Sequence, residues 1–357
     1  MYYDKGSLVI GTFADIPIKV HWTFGLLLLF VVYYVHQNGL ELIDGLWFFS
    51  LVTFMFCFVI MHEYGHALTA RRFGVDTKDI IISPIGGVAR LTHIPKNALH
   101  EFYIALAGPA VNLSLLVVLL IVQLLFNYPI LPSSDVINPL THLPDYLGIL
   151  LSINVALVVF NLVPAFPMDG GRILRSLLTM VLKNHQKATE IASYIGQVIA
   201  VVFVLTGAYF DHYMLLFIGI FVFLTARAER GFVTREAELS SVTARDIVRV
   251  EGYRVSELTQ ITGLVKDRCY LVYDENNRLL GILNSKLLNM KEYLPYESLT
   301  PYVSQQYGYV SYATPLNHLF EIMKAQQWQL VIVMDEDKKE IGVIDRLLLL
   351  QYINNIS

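Results

Sequence analysis

Apolar runs long enough to cross a lipid bilayer recur at residues 22–35, 45–70, 101–126, 146–167, 188–210 and 213–227. A helix needs about 20 consecutive apolar residues to span the hydrocarbon core. Aromatic and small flanking residues bring the two shorter runs to that length. Lipid offers no partner for backbone N–H and C=O groups, so a spanning segment must satisfy them within itself. Composition agrees: 55% of the 357 residues are hydrophobic and only 16% are charged, against about 25% in soluble domains. The expected fold is therefore a polytopic α-helical membrane protein with six transmembrane helices. A net charge of −4 provides no basic surface for phosphates, so no nucleic-acid partner is expected. Cys57 and Cys269 are too few for a disulfide framework or a thiolate metal site. The opening residues, MYYDKGSLVIGTF, lack the shape of a cleavable signal.

The basic residues set the orientation. With the N-terminus inside, one side of the membrane receives Lys5 and Lys19; Arg71, Arg72, Lys78, Arg90 and Lys96; Arg172, Arg175, Lys183 and Lys187; and Arg227, Arg230 and Arg235. The opposite loops, HQNGLELIDG, NYPILPSSDVINPLTHLPDY and the turn at Asp211, contain no Lys or Arg. Cytoplasmic loops carry the excess of Lys and Arg, so both termini are expected in the cytoplasm, in keeping with a prokaryotic inner membrane. The membrane part is assigned to residues 1–235.

Residues 236–357 change character, to short apolar runs between polar turns, as in a small cytoplasmic α/β domain. The pattern repeats: YLVYDENNRLLGILNSKLL (270–288) matches LVIVMDEDKKEIGVIDRLL (330–348). Asp274 falls on Asp335, Glu275 on Glu336 and Gly281 on Gly342, 61 residues apart. Each copy reads strand, acidic turn, strand, helix, and the two are expected to pack as a pseudo-symmetric pair. This tail resembles a cystathionine-β-synthase-type (CBS) tandem, a module that often senses adenine nucleotides. The combination of a Thr/Ser and an Asp that commonly holds a ribose after the second strand is complete in neither GILNSK nor GVIDRL, so the resemblance does not extend to a nucleotide cofactor. Self-association through the tail is an expectation of the same resemblance.

The second apolar run contains HEYGH: His62, Glu63 and His66. A helix turns about 100° per residue, so two histidines four apart share a face and their imidazoles can share one metal ion. Neutral imidazoles suit zinc, which in catalytic sites takes three protein ligands and keeps one position open. Glu63, beside the first histidine, is placed to act as general base. Ionisable residues inside a membrane segment are costly and by default mark function. At 1.5 Å per residue, Glu63 lies about 12 Å inside the Arg71–Arg72 pair, nearer the cytoplasmic side.

The candidate third ligand is Asp169, in NVALVVFNLVPAFPMDGGRILRSLL (154–178). Pro164 and Pro167 end the apolar segment there. Irregular backbone near membrane depth is tolerated only inside protein or beside water, and hydrolysis needs such water. His62, His66 and Asp169 are thus the expected zinc ligands. A transporter or channel with a cytoplasmic sensor is the alternative. It requires further acidic or His residues along a path through the helices, whereas the polar residues here cluster near one depth. Between the second and third runs, residues 74–95 read as a β-hairpin at the membrane surface, around Pro84, Gly86 and Gly87.

Three of these motifs, HEYGH, GPAVN (Gly108, Pro109, Asn112) and FNLVPAFPMDGGR, stand in the order seen in site-2 protease-type intramembrane zinc metalloproteases. The chain resembles that family over residues of about 20–178, in the subgroup with a CBS-like tail. The resemblance implies peptide hydrolysis within or near transmembrane segments of membrane-protein substrates. It implies one zinc per chain on His62, His66 and Asp169, with Glu63 as catalytic base. Asn161, eight residues before Asp169, matches an asparagine that helps hold substrate or the developing oxyanion, where an amide donor stabilises transition-state charge. The hairpin, with Gly86 and Gly87, and Pro167 are the candidate substrate-binding positions, since a strand edge can pair with an extended substrate. Asn112 and Asn154 read as amides that join helices.

Overall fold

The structure, a computed structural model, describes residues 6–39, 41–84, 86–93, 95, 97–130, 143–248, 254–256, 269–284 and 302–355. It divides into two compact units, Met1–Arg230 and Gly231–Ser357.

The first unit is mostly helical. Each apolar run forms the body of a helix: α1 (Phe24–Gln37), α2 (Leu42–Arg72), α3 (Ala98–Leu125), α4 (Leu143–Leu162), α6 (His185–Tyr209) and α7 (Tyr213–Ser241). Among the described residues, α2, α3, Asp145–Leu162 of α4 and α6 are long and apolar enough to cross a membrane. Helix α1 is apolar but has 14 residues. Helix α7 carries its apolar run in the first half and continues through Arg227, Glu229 and Arg230. The ends follow local chemistry. The Asn97 side chain accepts a hydrogen bond from the Leu99 N–H at 2.9 Å and starts α3, and Asn184 caps α6 through the Lys187 N–H. Asn154 of α4 donates from Nδ2 to the main-chain oxygen of Asn112 at 2.7 Å, joining α3 to α4 as expected of it, whereas the buried Asn112 amide makes no side-chain hydrogen bond among the described residues.

Two features depart from the sequence reading. The fourth apolar segment was expected to run to residue 167, but α4 stops at Leu162, and after a loop through Pro164 and Pro167 a separate helix, α5 (Asp169–Leu182), begins. Asp169 is therefore the first residue of a helix, not the last of a transmembrane segment. Helix α5 escapes a search for apolar runs because its apolar residues lie on one face, between Arg172, Arg175 and Ser176.

The expected hairpin is present as β3 (Thr77–Ser83) and β4 (Gly86–Leu91), antiparallel to each other. It belongs to a larger sheet. The N-terminal strands β1 (Ser7–Phe13) and β2 (Ile16–His21) extend it to four strands in the order β1-β2-β3-β4, with β2 parallel to β3. That parallel pairing closes over α1 and α2, and no local pattern announces it. The β1–β2 turn has Ala14 and Asp15 at φ of 48° and 61°, as a tight hairpin requires. Tyr64 Oη of α2 donates to the carbonyl of Ile16 at 3.1 Å, and Arg71 Nη2 donates to that of Ala14 at 2.5 Å. The sheet thus packs on the last turns of α2, with Ile16, Ile80 and Ile82 against Phe56 and Ala67. Asp79, 2% exposed, ties β2, β3 and β4 together by accepting from Lys19 at 2.8 Å and from the Arg90 fork. The Arg90 hydrogen bonds hold the Asp79 carboxyl below the usual carboxylate range.

In the second unit, β5 (Arg254–Ser256), β6 (Cys269–Tyr273) and β7 (Leu279–Asn284) form one three-stranded sheet; β8 (Tyr307–Ser311), β9 (Leu330–Met334) and β10 (Glu340–Asp345) form another. Both hairpins turn alike. The Asp274 N–H donates to Arg278 O and the Asp335 N–H to Lys339 O, each at 2.9 Å. Asn277 and Lys338 both take φ of 57°. Leu271, Tyr273 and Ile282 pack on Leu330, Ile332 and Val343 between the sheets. After β10 the chain enters a helix over Arg346–Asn355; the matching helix of the first copy falls outside the described residues.

Candidate metal centre

The two histidines of HEYGH sit one turn apart on the buried face of α2, each 5% exposed. Their Nε2 atoms lie 3.1 Å from each other, and each lies 3.0 Å from Oδ2 of Asp169, 7% exposed at the start of α5. Among the described residues this is the one cluster of three His, Cys, Asp or Glu side chains able to hold a metal ion. The loop before Asp169 folds back on the helix start: a Cβ on Gly170 would overlap the carbonyls of Leu162 and Val163, and one on Gly171 the backbone of Ala165. Only glycines let the chain turn sharply enough to aim the carboxylate at α2.

Hydrogen bonding fixes one ring. His66 Nδ1 is 2.6 Å from the carbonyl oxygen of Ile104 on α3. A carbonyl only accepts, so the proton is on Nδ1 and the Nε2 lone pair points at His62 and Asp169. A metal-binding histidine is oriented in this way. His62 Nδ1 is buried with no hydrogen-bond partner among the described residues. Tetrahedral bonds of about 2.0–2.1 Å to zinc place ligand atoms about 3.3 Å apart, within a few tenths of an ångström of the separations here. Two imidazoles and one carboxylate are also a borderline-soft donor set suited to that ion. The residues fit zinc.

Helix α3 makes room for the rings. A Cβ on Gly108 would sit 2.6 Å from His62 Nε2 and overlap the His66 ring. Glu63 is half-buried on the adjoining face, where its Oε2 accepts a hydrogen bond from the Ala89 N–H of β4 at 2.8 Å. Gly87 is packed against it, for a Cβ there would lie 2.8 Å from Glu63 Cγ. Gly86 begins β4 at φ 138°. The hairpin and the candidate base are therefore in direct contact. Asn161 is half-buried in the last turn of α4, and Pro167 is exposed in the loop before Asp169; neither hydrogen-bonds to the His62–His66–Asp169 cluster among the described residues. The Ile104 carbonyl and the Ala89 N–H escaped the sequence reading because main-chain groups are the same at every position. Arg172, whose Nη1 is 3.9 Å from Asp169 Oδ1, was visible only as a basic residue.

Comparison with known proteins gives the chain's relatives. The chain matches the family described as peptidase family M50 over residues 50–142 and 139–203. A solved site-2 protease from Methanocaldococcus jannaschii is 34% identical, covers 63% of this chain and 95% of its own, and superposes with a TM-score of 0.46. The Synechocystis protein sll0528 is 26% identical over 369 residues, 96% of this chain and 94% of that one. A zinc metalloprotease of M. jannaschii, MJ0392, is 32% identical over 297 residues, 80% of each chain. At that identity and coverage, the chain belongs to peptidase family M50, the site-2 protease type of intramembrane metalloprotease.

Proposed function

We propose that His62, His66 and Asp169 hold one zinc ion and that Glu63 is the catalytic base of peptide hydrolysis within or near transmembrane segments of substrate proteins. The observation that carries the assignment is the meeting of His62 Nε2, His66 Nε2 and Asp169 Oδ2 within 3.0–3.1 Å, from stretches over 100 residues apart. When bound, zinc supplies Lewis acidity at that point. The Ile104 carbonyl keeps the His66 lone pair directed inward. Glu63, steadied by the Ala89 N–H, takes a proton from the attacking water and returns it to the leaving amine. The Asn161 amide, near the same end of α4, donates to the carbonyl oxygen as charge develops there. Pairing of an unwound substrate with β4, past Gly86 and Gly87, exposes carbonyls that a helix hides, and Pro167 borders its path.

Six spans, formed by α1, α2, α3, α4, α6 and α7, with both termini in the cytoplasm, account for the one-sided Lys and Arg distribution. Helix α5 then lies on the cytoplasmic side, between the ends of α4 and α6. Residues 1–235 form the protease domain. Residues 236–357 form a CBS-like tandem, supported by the matching turns at Asp274 and Asp335; it regulates access and provides a surface for self-association.

Two substitutions test the core of this reading. Glu63→Gln is expected to retain one zinc per chain and to cut cleavage of a reconstituted membrane substrate by about 10²–10⁴-fold. Asp169→Ala is expected to lose stoichiometric zinc by metal analysis of the purified protein. Cleavage at the wild-type rate in the first variant, or full zinc retention in the second, removes the corresponding residue from its role.

A further inference from the structure

Asp169 reaches the imidazoles of α2 from a different helix, so the placement of α5 decides whether the three ligands meet. Two turns beyond Asp169, Arg175 turns into the protein and is 3% exposed. Its Nε donates to Glu101 Oε1 of α3 at 2.9 Å and its Nη2 donates to the same oxygen at 2.5 Å. Its Nη1 donates to Glu229 Oε1 of α7 at 2.5 Å. The guanidinium also lies over the Phe166 ring, 5.0 Å from its centroid, in the loop that leads into Asp169. Glu101 is fully buried, and its second oxygen is 3.7 Å from Nε2 of His185, the first residue of α6.

Glu101 shares one face of α3 with Ile104 and Gly108, three and seven residues on. Ile104 orients His66 and Gly108 fits both imidazoles, so this face touches the ligands of α2 directly and the helix of the third ligand through Arg175. Burial of charge is expensive, and well-packed apolar groups hold helices together at least as well. What the guanidinium adds is direction, because its planar fork donates to carboxylates in few geometries.

We propose that the Arg175–Glu101 pair, with Glu229 and Phe166, is a positioning device that sets α5 and its entering loop so that Asp169 meets His62 and His66. This rests on the reading of Asp169 as a zinc ligand. The protein contains its own control. Lys19, Asp79 and Arg90 form a second ion cluster around a buried carboxylate, but on β2, β3 and β4, none of which carries a ligand.

The test is zinc affinity, by chelator competition on the folded full-length protein, read beside the thermal midpoint. Glu101→Gln is expected to weaken zinc binding about 10–100-fold, as loss of outer partners of metal ligands does. Arg175→Lys keeps the charge without the fork and is expected to weaken binding by less than Glu101→Gln but measurably. Asp79→Asn is expected to lower the midpoint and leave affinity unchanged. Wild-type affinity in Glu101→Gln, or an equal loss in Asp79→Asn, overturns the proposal. Should Glu101→Gln fail to fold, Glu229→Gln, at a partly exposed partner, replaces it; unchanged affinity there and in Arg175→Lys overturns it equally. Asp169→Ala separates the two levels. If it keeps zinc, the ligand reading itself is wrong; if it loses zinc while Glu101→Gln does not, only the positioning role falls.

Discussion

At Gly108 a single missing methyl group sets whether two imidazoles can lie side by side. An added Cβ would stand 2.6 Å from His62 Nε2 and overlap the His66 ring. The cheapest relief is a swing of the rings away from Asp169. Gly108→Ala is therefore expected to keep the helical circular dichroism but weaken zinc binding about 10–100-fold, the equivalent of an overpacking cost of about 1–3 kcal/mol. Chelator competition measures it, and wild-type affinity refutes the close approach. GPAVN was recognisable in the sequence as a motif, but the reason for its glycine was not, because the atoms it admits belong to α2. His62 and His66 were legible for the opposite reason: positions four apart on a helix are neighbours by local geometry alone. Glu63 was legible as a type of residue, whereas its hydrogen bond to Ala89 depends on a strand that comes 26 residues later.

Among the elements, the sheet and α5 show where reading by pattern stops. The β3–β4 hairpin follows from β-branched runs around Pro84, Gly86 and Gly87, and its two strands formed where expected. Strands β1 and β2 join it only because Ile16 and Tyr64 fasten the N-terminal hairpin to α2. Asp79 is the electrostatic centre of this sheet. Its carboxyl is held below its usual range, mainly by the Arg90 hydrogen bond. The stabilisation is therefore complete above about pH 4, the unfolded value, and is lost as pH falls through the lower folded value. Asp79→Asn is expected to cost about 2 kcal/mol at neutral pH, less than a fully buried pair because Lys19 and Arg90 reach solvent. The wild type and the variant should converge in stability as the pH is lowered below about 4. Thermal unfolding over pH 3–7 checks this, and a gap independent of pH would assign the loss to packing. In α5, by contrast, the apolar residues occupy one face and are interrupted along the chain by polar ones, so neither its start at Asp169 nor the inward turn of Arg175 follows from run lengths.

For the whole molecule, the internal repeat survives as matching turns in two sheets, and a polar contact joins the sheets. Tyr273 Oη donates to Glu340 Oε2 at 3.2 Å, beside the Arg254–Glu340 ion pair. Burial, and then the Glu340 charge, push the Tyr273 hydroxyl up to about 12. The neutral hydroxyl favours the fold, so this contribution is full below about pH 10 and is lost as pH rises toward 12. Ultraviolet titration of a Tyr273→Phe difference should find one tyrosine ionising near 12. Glu340→Gln should lower that value only in part, since burial is the larger cause. A Tyr273 that titrates near 10 would mean the two sheets do not enclose it.

What the sequence alone determined is what depends on neighbours along the chain. Solubility in lipid follows from run length and composition, the paired histidines from helical spacing, and the repeat from Asp274 and Asp335. The tertiary structure decided which distant groups meet. A carboxylate 103 residues beyond His66, a carbonyl on α3, an amide on β4 and a buried Arg175 come together only after the helices pack. Two of those contributors are main-chain atoms, which carry no side-chain signature, and the others gain their roles from packing free energy summed over many residues, which no short segment contains.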